Sequence, residues 1–209
     1  MSFGSARLLI DAVRSAWGDE ATASILQLDI QGAFDNVHHG WLIYTLHTLH
    51  LPVWLINWIA NYLTGRTTEL TFDGKTAPTR HVTAGVPQGS PLSPILFILF
   101  TTPLYQALRL HQGIITIGFA DDTNLLAVSR TTGFCCRLLR EAWATVTEWA
   151  RPRGVVYGPE KSKLLHFSRT HVVLTKTFSL DENTVIAPLN AVRFFGIWLD
   201  RKLFFSEYL

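Results

Sequence analysis

Hydrophobic and polar positions alternate along the chain with periods that change from segment to segment, and each period predicts one type of element. Between residues 5 and 17 the apolar side chains recur at helical spacing, whereas residues 25–30 form a short apolar run of the kind found in a buried strand. The order of the predicted elements indicates an α+β fold in which helices pack on one face of a mostly antiparallel sheet. Helices are predicted at 5–17, 40–50, 52–64, about 93–110 and 131–150, and strands at 25–30, 67–72, 78–83, 114–119, 125–128, 164–167, 172–174 and 192–199.

Acidic residues stand where predicted strands end. Asp29 lies at the end of the strand at 25–30, and Asp121 and Asp122 lie at the tip of a hairpin formed by the strands at 114–119 and 125–128. If these strands are neighbours in the sheet, the three carboxylates converge at one sheet edge. Asp73 and Gly74 mark another turn, between the strands at 67–72 and 78–83.

Composition agrees with a folded domain and excludes some classes of protein. The 209 residues are 48% hydrophobic and 12% aromatic, which is enough apolar material for a core and argues against disorder. A net charge of +2 argues against a strongly basic nucleic-acid module. The charge is uneven, because residues 1–129 carry a net charge of −3 and residues 130–209 a net charge of +5. A phosphate-contacting surface is therefore expected in the second half.

The cysteines and the apolar runs bear on the cellular environment. Cys135 and Cys136 are adjacent, so a disulfide between them would be strained, and a reducing intracellular compartment is expected. The N-terminus lacks the pattern of a signal peptide. The longest apolar run, at 95–100, is far shorter than the roughly 20 residues that a membrane-spanning helix needs. We therefore expect a core helix there and no membrane partner.

Two adjacent aspartates at a hairpin tip repel one another unless a cation is present. Hard carboxylate oxygens favour Mg²⁺ or Mn²⁺ over zinc. Two such ions about 3.5–4 Å apart form the clamp that is used in nucleotidyl transfer. An Asp-Asp turn alone is more often a simple polar turn, so the neighbouring motifs decide between these interpretations.

Several blocks of the chain resemble, in the same order, the motifs of reverse transcriptases. They lie at 28–35, 85–94, 119–122, 160–163 and 194–200, and the ten-residue block at 85–94 is the most specific of them. The Phe-Ala-Asp-Asp form of the acidic hairpin is similar to that of non-LTR retrotransposon enzymes, including fungal ones. The resemblance covers nearly the whole chain. It implies a right-hand polymerase palm with a ferredoxin-like sheet, RNA-templated DNA synthesis, two Mg²⁺ ions (or Mn²⁺) and dNTP substrates.

The resemblance also assigns roles to the residues of the first and third blocks. It makes Asp29, Asp121 and Asp122 the metal-binding and catalytic carboxylates. The backbone of Ile30 and Gln31 would lie near the triphosphate. The ring of Phe34, five residues after Asp29, would lie under the sugar and exclude a 2′-hydroxyl, although a plain core role for this residue is the alternative.

The remaining blocks supply the residues that contact nucleic acid and triphosphate. By resemblance, Gln88 and Gly89 pack against the template base and the nucleotide, and glycine permits a close backbone approach. Lys161 would donate a proton to the leaving pyrophosphate, with Lys163 as a rival and a solvated surface lysine as an equal alternative. Three further residues would position the primer backbone, with a plain core-strand role as an equal alternative: Phe195, Gly196 and Trp198.

The family pattern is incomplete in this chain, so alternatives stay open. Fingers strands upstream and a thumb downstream are expected to be missing, which makes residues 1–209 a palm with partial fingers that is truncated at both ends. The leading hypothesis is an RNA-directed DNA polymerase domain that works on an RNA template and a DNA primer in the nucleus or cytoplasm. The alternatives are a catalytically inactive remnant that retains the palm fold, an RNA-templated RNA polymerase and a cyclase-like enzyme. The oligomeric state is left open.

Overall fold

A computed structural model of the chain describes residues 2–119, 121–170 and 174–205, with only the backbone of residues 2 and 3. It divides into two compact units. The sheet unit comprises Met1–Ile30, Leu104–Trp149 and Tyr157–Leu209. The helical unit comprises Gln31–Pro103 and Ala150–Val156.

The helices and strands alternate along the chain in the order that the sequence predicts. The helices are α1 (Ser2–Gly18), α2 (His39–Thr48), α3 (Val53–Leu63), α4 (Ser93–Leu108) and α5 (Thr132–Ala150). The strands are β1 (Thr22–Asp29), β2 (Thr67–Thr68), β3 (Thr71–Phe72), β4 (Lys75–Thr76), β5 (Arg80–His81), β6 (Ile114–Phe119), β7 (Asp122–Ser129), β8 (Lys163–Phe167), β9 (Phe178–Ser179), β10 (Val185–Ile186), β11 (Ala191–Phe194) and β12 (Ile197–Asp200). Short 3₁₀ turns follow α5 and precede β8, at Arg151–Arg153 and Pro159–Lys161.

A four-stranded antiparallel sheet forms the centre of the sheet unit. Its strand order is β6-β7-β1-β8, so β1 is paired on both sides. The β6–β7 hairpin pairs Ile114 with Ala127 at one end and Phe119 with Asp122 at the other. The predicted hairpin and the predicted antiparallel sheet are both present.

The two faces of this sheet are covered by different helices. Ala23 and Ile25 of β1 belong to a fully buried cluster that contains Leu9 and Val13 of α1. Side chains alternate along a strand, so Ser24 points to the opposite face, beside the Cys135 thiol of α5, which donates to the Thr22 carbonyl at 3.6 Å. Helices therefore lie on both faces of the sheet, whereas the sequence predicted them on one face. The reason is that both sides of β1 are apolar, so both must be covered.

A polar network is buried on the α5 side of the sheet. The imidazole Nε2 of His166 faces the carbonyl of Lys176 at 2.7 Å, so Nε2 carries the proton and Nδ1 accepts from the Ser24 hydroxyl, also at 2.7 Å. Burial lowers the pKa of His166, and it raises the pKa of the Cys135 thiol to about 11. Each group of the network is therefore neutral and hydrogen-bonded at pH 7, as a buried polar cluster requires.

The C-terminal part of the sheet unit differs from its prediction. The single strand predicted at 192–199 is a hairpin of β11 and β12, because Phe195 and Gly196 adopt φ values of 46° and 89° and turn the chain. The pairing of β9 with β10 was not predicted, and Asp181 closes the turn between them. Of the strand predicted at 172–174, Val172 and Val173 lie outside the described residues, and Leu174 is not in a strand.

The helical unit contains α2, α3 and a thin β ribbon. His38 caps α2 by accepting a hydrogen bond from the Trp41 N–H, and Pro52 directly precedes α3, as predicted. The ribbon consists of the pairs β2–β5 and β3–β4, with a tight turn in which Asp73 and Gly74 have φ values of 50° and 71°. Each of the two predicted strands is thus divided into short pieces, and their side chains are mostly exposed.

The apolar run at 95–100 lies in α4, where Phe97 and Phe100 are buried. In the part of the chain that the structure describes, none of the helices has the length and hydrophobicity that crossing a bilayer requires.

Tyr105 of α4 lies against the base of the acidic hairpin. Its hydroxyl is 3.3 Å from the Thr123 hydroxyl, and Thr123 is the cross-strand partner of Gly118. A Cβ atom at Gly118 would overlap the Tyr105 hydroxyl. We expect Gly118→Ala to lower the free energy of unfolding by about 1–3 kcal/mol, because the ring would have to move within a packed core.

Chemical denaturation of the two proteins measures this effect. Gly133→Ala is the matched control, since an added Cβ there meets only the Thr131 hydroxyl at 3.8 Å and helix propensity favours alanine. Equal stability of the Gly118→Ala and wild-type proteins would contradict the packing role of Tyr105.

Candidate active site

Asp29 and Asp122 face one another across two neighbouring strands. β1 ends at Asp29, β7 begins at Asp122, and the two residues are direct antiparallel partners. Side chains paired in this way have Cβ atoms about 4.5–5.5 Å apart. Asp121 directly precedes Asp122 and is half-buried. The register therefore places two like charges opposite each other, with a third adjacent, at one end of the sheet.

One face of β1 changes from apolar to polar toward this end. Ile25, Gln27 and Asp29 alternate onto the same face, and the first of them is covered by α1. Gln27 donates from Nε2 to the Asn124 side-chain oxygen at 3.0 Å, and Asn124 is its cross-strand partner. The helix covers the apolar half of this face and leaves the acidic half open.

A cavity of about 300 Å³ opens at the acidic half. It is lined by three acidic residues (Asp29, Asp122 and Glu160), three basic residues (Lys161, Lys163 and Arg193), and Gln27, Leu28, Asn124 and Phe195. Sequence reasoning did not find Gln27, Asn124 and Arg193. The period of two along β1 and β7 was the available signal for the first two, because each lies two positions from an aspartate on the same face. Arg193 had no such signal, since its strand was predicted without its turn.

Lys161 forms an ion pair with Asp29. Its Nζ atom lies 3.1 Å from Asp29 Oδ2. The backbone fixes this arrangement, because the Gly158 N–H donates to the Asp29 carbonyl at 3.0 Å and the 3₁₀ turn at Pro159–Lys161 follows directly. The hydrogen bond and the negative charge of Asp29 raise the pKa of Lys161, so the ammonium stays protonated at neutral pH.

Lys163 lies on the same face of the sheet as Asp122 and acts on it electrostatically. Burial is the largest cause that raises the pKa of Asp122, and the charges of Asp121 and Asp29 raise it further, whereas Lys163 lowers it. The two lysines that the sequence left as rivals thus serve different carboxylates. Lys161 neutralises Asp29, and Lys163 offsets part of the repulsion at Asp122.

Carboxylate oxygens are suitable ligands for a hard divalent ion, but these side chains do not surround a common metal position. Among the described residues, no three His, Cys, Asp or Glu side chains are close enough together to hold a metal ion as they stand. The ammonium of Lys161 occupies one side of Asp29. Burial raises the pKa of Asp122 most and the charges of Asp121 and Asp29 raise it further, so a bound cation would favour its charged form. The donor set therefore fits Mg²⁺ or Mn²⁺ once the side chains adjust.

The block at 194–200 reaches this cavity through one residue. Phe195 lines the cavity and makes an edge contact with Phe119 of β6, with ring centroids 5.4 Å apart. Gly196 forms the turn beside it, and Trp198 lies in β12 opposite Arg193. Neither Gly196 nor Trp198 lines the cavity.

The other predicted site residues belong mainly to the helical unit. Gln88 donates from Nε2 to both carboxylate oxygens of Asp35, at 3.0 and 3.1 Å. Sequence reasoning missed this role of Asp35, although the residue belongs to the first acidic block. Phe34 is half-buried against Phe97, with ring centroids 5.4 Å apart, and Gly89 adopts a φ of 88° that favours glycine.

Ile30 and Gln31 have engaged backbones. Ile30, the last residue of this part of the sheet unit, forms a β-bridge with Tyr157. Within the helical unit, the Gln31 N–H donates to the Val156 carbonyl at 2.9 Å. The Gln31 amide is thus already used in the fold, and contact with a triphosphate would require it to be released or shared.

Sequence comparison places this arrangement among known proteins. Residues 2–199 match the family model described as reverse transcriptase (RNA-dependent DNA polymerase). The chain is 29% identical over 203 residues to the probable RNA-directed DNA polymerase from transposon X-element of Drosophila melanogaster, with 96% of this chain and 22% of the relative covered. It is 31% identical over 189 residues to the RNA-directed DNA polymerase from mobile element jockey of the same species, with 87% and 20% covered. It thus spans about a fifth of these curated relatives.

Solved structures show the same fold at low identity. Apo telomerase from Candida tropicalis superposes with a TM-score of 0.63 at 11% identity, with 93% of this chain and 35% of that chain covered. A form of that telomerase lacking its C-terminal domain gives a TM-score of 0.62 at 12% identity, with 93% and 38% covered. The polymerase palm predicted from the sequence is confirmed.

Crowded negative charge at Asp122 predicts that this residue destabilises the fold at neutral pH. A carboxyl with a raised pKa binds its proton more tightly in the folded than in the unfolded chain, so stability is lost as pH rises through the folded pKa. We expect Asp122→Asn to raise the Tm at pH 7 in the presence of a chelator, and the difference to vanish near pH 3.

Thermal unfolding followed by circular dichroism across this pH range measures the effect. Asp181→Asn is a control of opposite sign, because hydrogen bonds from the Asn183 and Thr184 backbones lower the pKa of Asp181, and its charge should stabilise the fold at pH 7. A Tm of Asp122→Asn at or below that of the wild type at pH 7 would show that the charges are not in conflict.

Proposed function

The chain belongs to the reverse transcriptase (RNA-dependent DNA polymerase) family, and from this membership we propose that it is the RNA-directed DNA polymerase domain of a non-LTR retrotransposon protein. The observation that carries the proposal is the register that sets Asp29 opposite Asp122 in a cavity bordered by lysines. The proposed substrates are dNTPs and a DNA primer with a free 3′-hydroxyl, and the proposed template is RNA. An origin in a fungal element stays a prediction, as does location in the nucleus or cytoplasm.

In the proposed reaction the primer 3′-oxygen attacks the α-phosphorus of the dNTP. A new P–O bond forms, the bond to pyrophosphate breaks, and the hydroxyl proton passes to solvent. Asp29, Asp122 and the adjacent Asp121 would hold two Mg²⁺ ions, or Mn²⁺, which when bound supply positive charge against the attacking and leaving oxygens. The cross-strand pairing of Asp29 and Asp122 supports this role, because one rigid sheet end presents both carboxylates.

Lys161 is proposed to deliver a proton to the leaving pyrophosphate. Its ammonium is exposed at the cavity, where the ion pair with Asp29 holds it. An acid that is protonated and within reach of the leaving group is the requirement for this step. Lys163 and Arg193, on the same cavity wall, would attract the phosphates without a proton transfer.

Residues of the helical unit are proposed to contact the nucleotide. Phe34 has one side packed on Phe97 and the other part of its ring exposed, which suits a ring that tests the sugar. The carboxylate of Asp35 fixes the amide of Gln88 in one orientation, and Gly89 leaves space for a base. Ile30 and Gln31 keep their proposed position near the triphosphate.

Phe195 is proposed to contact the primer strand, with Gly196 and Trp198 shaping the hairpin around it. The support is that Phe195 reaches the carboxylate cavity from a turn of positive φ, where a bulky side chain is held in a strained conformation. Such strain is common where a side chain is directed at a ligand.

A second candidate is a catalytically inactive remnant that retains the palm. The observation in its favour is the ion pair of Lys161 with Asp29, together with the lack of a ready metal cage among the described side chains. Under this hypothesis Lys161 is a permanent replacement for the metal ion.

Primer extension on oligo(dT)-primed poly(rA) with Mg²⁺ or Mn²⁺ separates the two candidates. We expect the chain to extend the primer, and Asp121→Asn combined with Asp122→Asn to reduce the rate by about a thousandfold, since metal-held charge contributes several kcal/mol to such steps.

Asp73→Asn is the matched control for this experiment. It makes the same chemical change at an exposed turn where asparagine tolerates the positive φ of 50°, so its rate should equal that of the wild type. Extension by neither the wild-type chain nor the Asp73→Asn variant would favour the remnant.

Replacing Phe34 with a smaller residue tests the sugar gate. We expect Phe34→Val to raise the use of rNTP relative to dNTP by about tenfold or more, because space would open for a 2′-hydroxyl. The measurement is the ratio of kcat/KM for rATP and dATP on a matched template. Phe72→Val, at an aromatic ring that is 81% exposed on the ribbon, should leave the ratio unchanged. An unchanged ratio of kcat/KM in Phe34→Val would contradict the sugar gate and indicate that Phe34 only packs in the core.

A further inference from the structure

α3 exposes large aromatic side chains that the proposed chemistry does not use. Its inner face buries Ile56, Ile59 and Leu63. Its outer face exposes Trp54 by 71% and Trp58 by 50%. Exposed tryptophans are costly to leave in water and usually mark a surface that binds something.

These rings continue into an ordered row. Trp54, Trp58 and Tyr62 follow one another at intervals of four residues in α3, which advance about 6 Å each along the helix, and Arg66 follows beyond the helix end at Leu63. The rings of Trp58 and Tyr62 are nearly parallel, with an angle of 11° and centroids 6.1 Å apart. The guanidinium of Arg66 lies 5.9 Å from the centre of the Tyr62 ring. We call this row of three rings and one cation the aromatic ladder.

The cationic end of the ladder is fixed in place. The Tyr62 hydroxyl donates to the Ser90 hydroxyl at 2.9 Å, in the loop that also carries Gln88 and Gly89. The Arg66 carbonyl accepts from the Val82 N–H at 2.9 Å, which ties it to the ribbon. The ring of Tyr62 and the backbone of Arg66 are therefore held in place, which lowers the entropy cost of binding a ligand at this end of the ladder.

A polar groove continues from the ladder within the same unit. Its volume is about 430 Å³, and it is lined by Arg66, Thr67, Thr68 and Gln88, among others. Arg66 thus belongs both to the ladder and to the groove. Arg80 and His81 pair with Thr68 and Thr67 in the ribbon, so further basic side chains stand close by in the sequence register.

We propose that the aromatic ladder binds unpaired, single-stranded RNA, with bases stacked on Trp54 and Trp58 and a phosphate contacted by Arg66. Base stacking on aromatic rings tolerates any sequence, as the strand copied by a polymerase requires. The inference rests on the proposed function in one respect, because it identifies this RNA as the template strand.

The surface fits RNA better than it fits a protein partner. α3 contains no charged residue between Val53 and Leu63, so no carboxylate on the helix repels a phosphate chain. The apolar rings lead into a groove lined by hydroxyls, the Arg66 guanidinium and the Asp35 carboxylate, which is bonded to the Gln88 amide. This lining matches sugars and phosphates more closely than an apolar side chain. Tryptophan and arginine are also enriched in protein interfaces, so a protein partner is the alternative occupant of the ladder. The experiment below distinguishes it from RNA.

The test is the affinity of the full chain for a short fluorescein-labelled oligo(rA), measured by anisotropy over a range of salt concentrations. Chelator is present and dNTP is absent, so binding is measured without catalysis. We expect Trp54→Ala to weaken binding about tenfold, and Trp54→Ala with Trp58→Ala to weaken it about a hundredfold. The slope of log K against log salt should stay unchanged in both, because no charge is lost.

Arg66→Gln separates charge from stacking. This variant should reduce the magnitude of the salt slope by about 0.7, which is the value for one phosphate contact on a single strand. Phe134→Ala is the matched control. Phe134 is a 49% exposed aromatic ring in α5 with the Arg137 guanidinium 4.6 Å from its centre, and its loss should leave both the affinity and the slope unchanged.

The outcomes are distinguishable from those of the polymerase proposal. Wild-type affinity in the double tryptophan variant, with circular dichroism showing a folded chain, overturns the RNA surface whether or not the wild type extends primers. The same holds if the double variant instead loses self-association in size-exclusion chromatography, because that assigns the ladder to a protein interface. Ladder-dependent RNA binding by a chain that extends no primer supports the surface and rejects the polymerase activity.

Discussion

The pairing register of β1 and β7 is the constraint on which the site depends. It sets Asp29 directly opposite Asp122, so that two negative charges meet at one sheet end. Like charges opposite one another destabilise a sheet. Lys161 offsets this repulsion by an ion pair with Asp29, and the charge of Lys163 offsets part of it at Asp122. A slip of one residue would turn either carboxylate to the opposite face of the sheet. The register therefore determines both the electrostatic strain and the chemistry that the strain permits.

The same strands also hold the site rigid. Toward the Thr22 end of β1, α1 and α5 cover the two faces, and the core contains residues such as Ile25 and Leu126 with no exposed area. Toward Asp29 the side chains of β1 become polar, and this end of the face that α1 covers opens into the cavity. Tyr105 and Thr123 support the hairpin from the other face. A site built on a packed sheet keeps its carboxylates in place, whereas a loop would let them relax away from each other.

The helical unit shows how polar contacts give single orientations to side chains outside the sheet. Asp35 holds both the direction and the rotamer of Gln88 through two hydrogen bonds. Tyr62 and Arg66 are held in a comparable way, by the Ser90 hydroxyl and by the ribbon backbone. These contacts join residues more than fifteen positions apart, which explains why a motif at 85–94 has meaning only together with residues from 35 to 66.

The sequence by itself determined the order of the elements, the antiparallel hairpin with its acidic tip and the three carboxylates, because strand period, turn residues and helix caps act over a few neighbouring positions. It also predicted Lys161, Phe195 and Gln88 as site residues through their motifs. Only the tertiary structure decided that helices cover both faces of the sheet, that the chain turns at Phe195 and Gly196, and which lysine meets which aspartate. The tertiary structure alone also showed that Arg193 and Asn124 line the cavity and that Asp35 binds the Gln88 amide. These features depend on contacts between residues distant in the chain, and local periodicity carries no information about them.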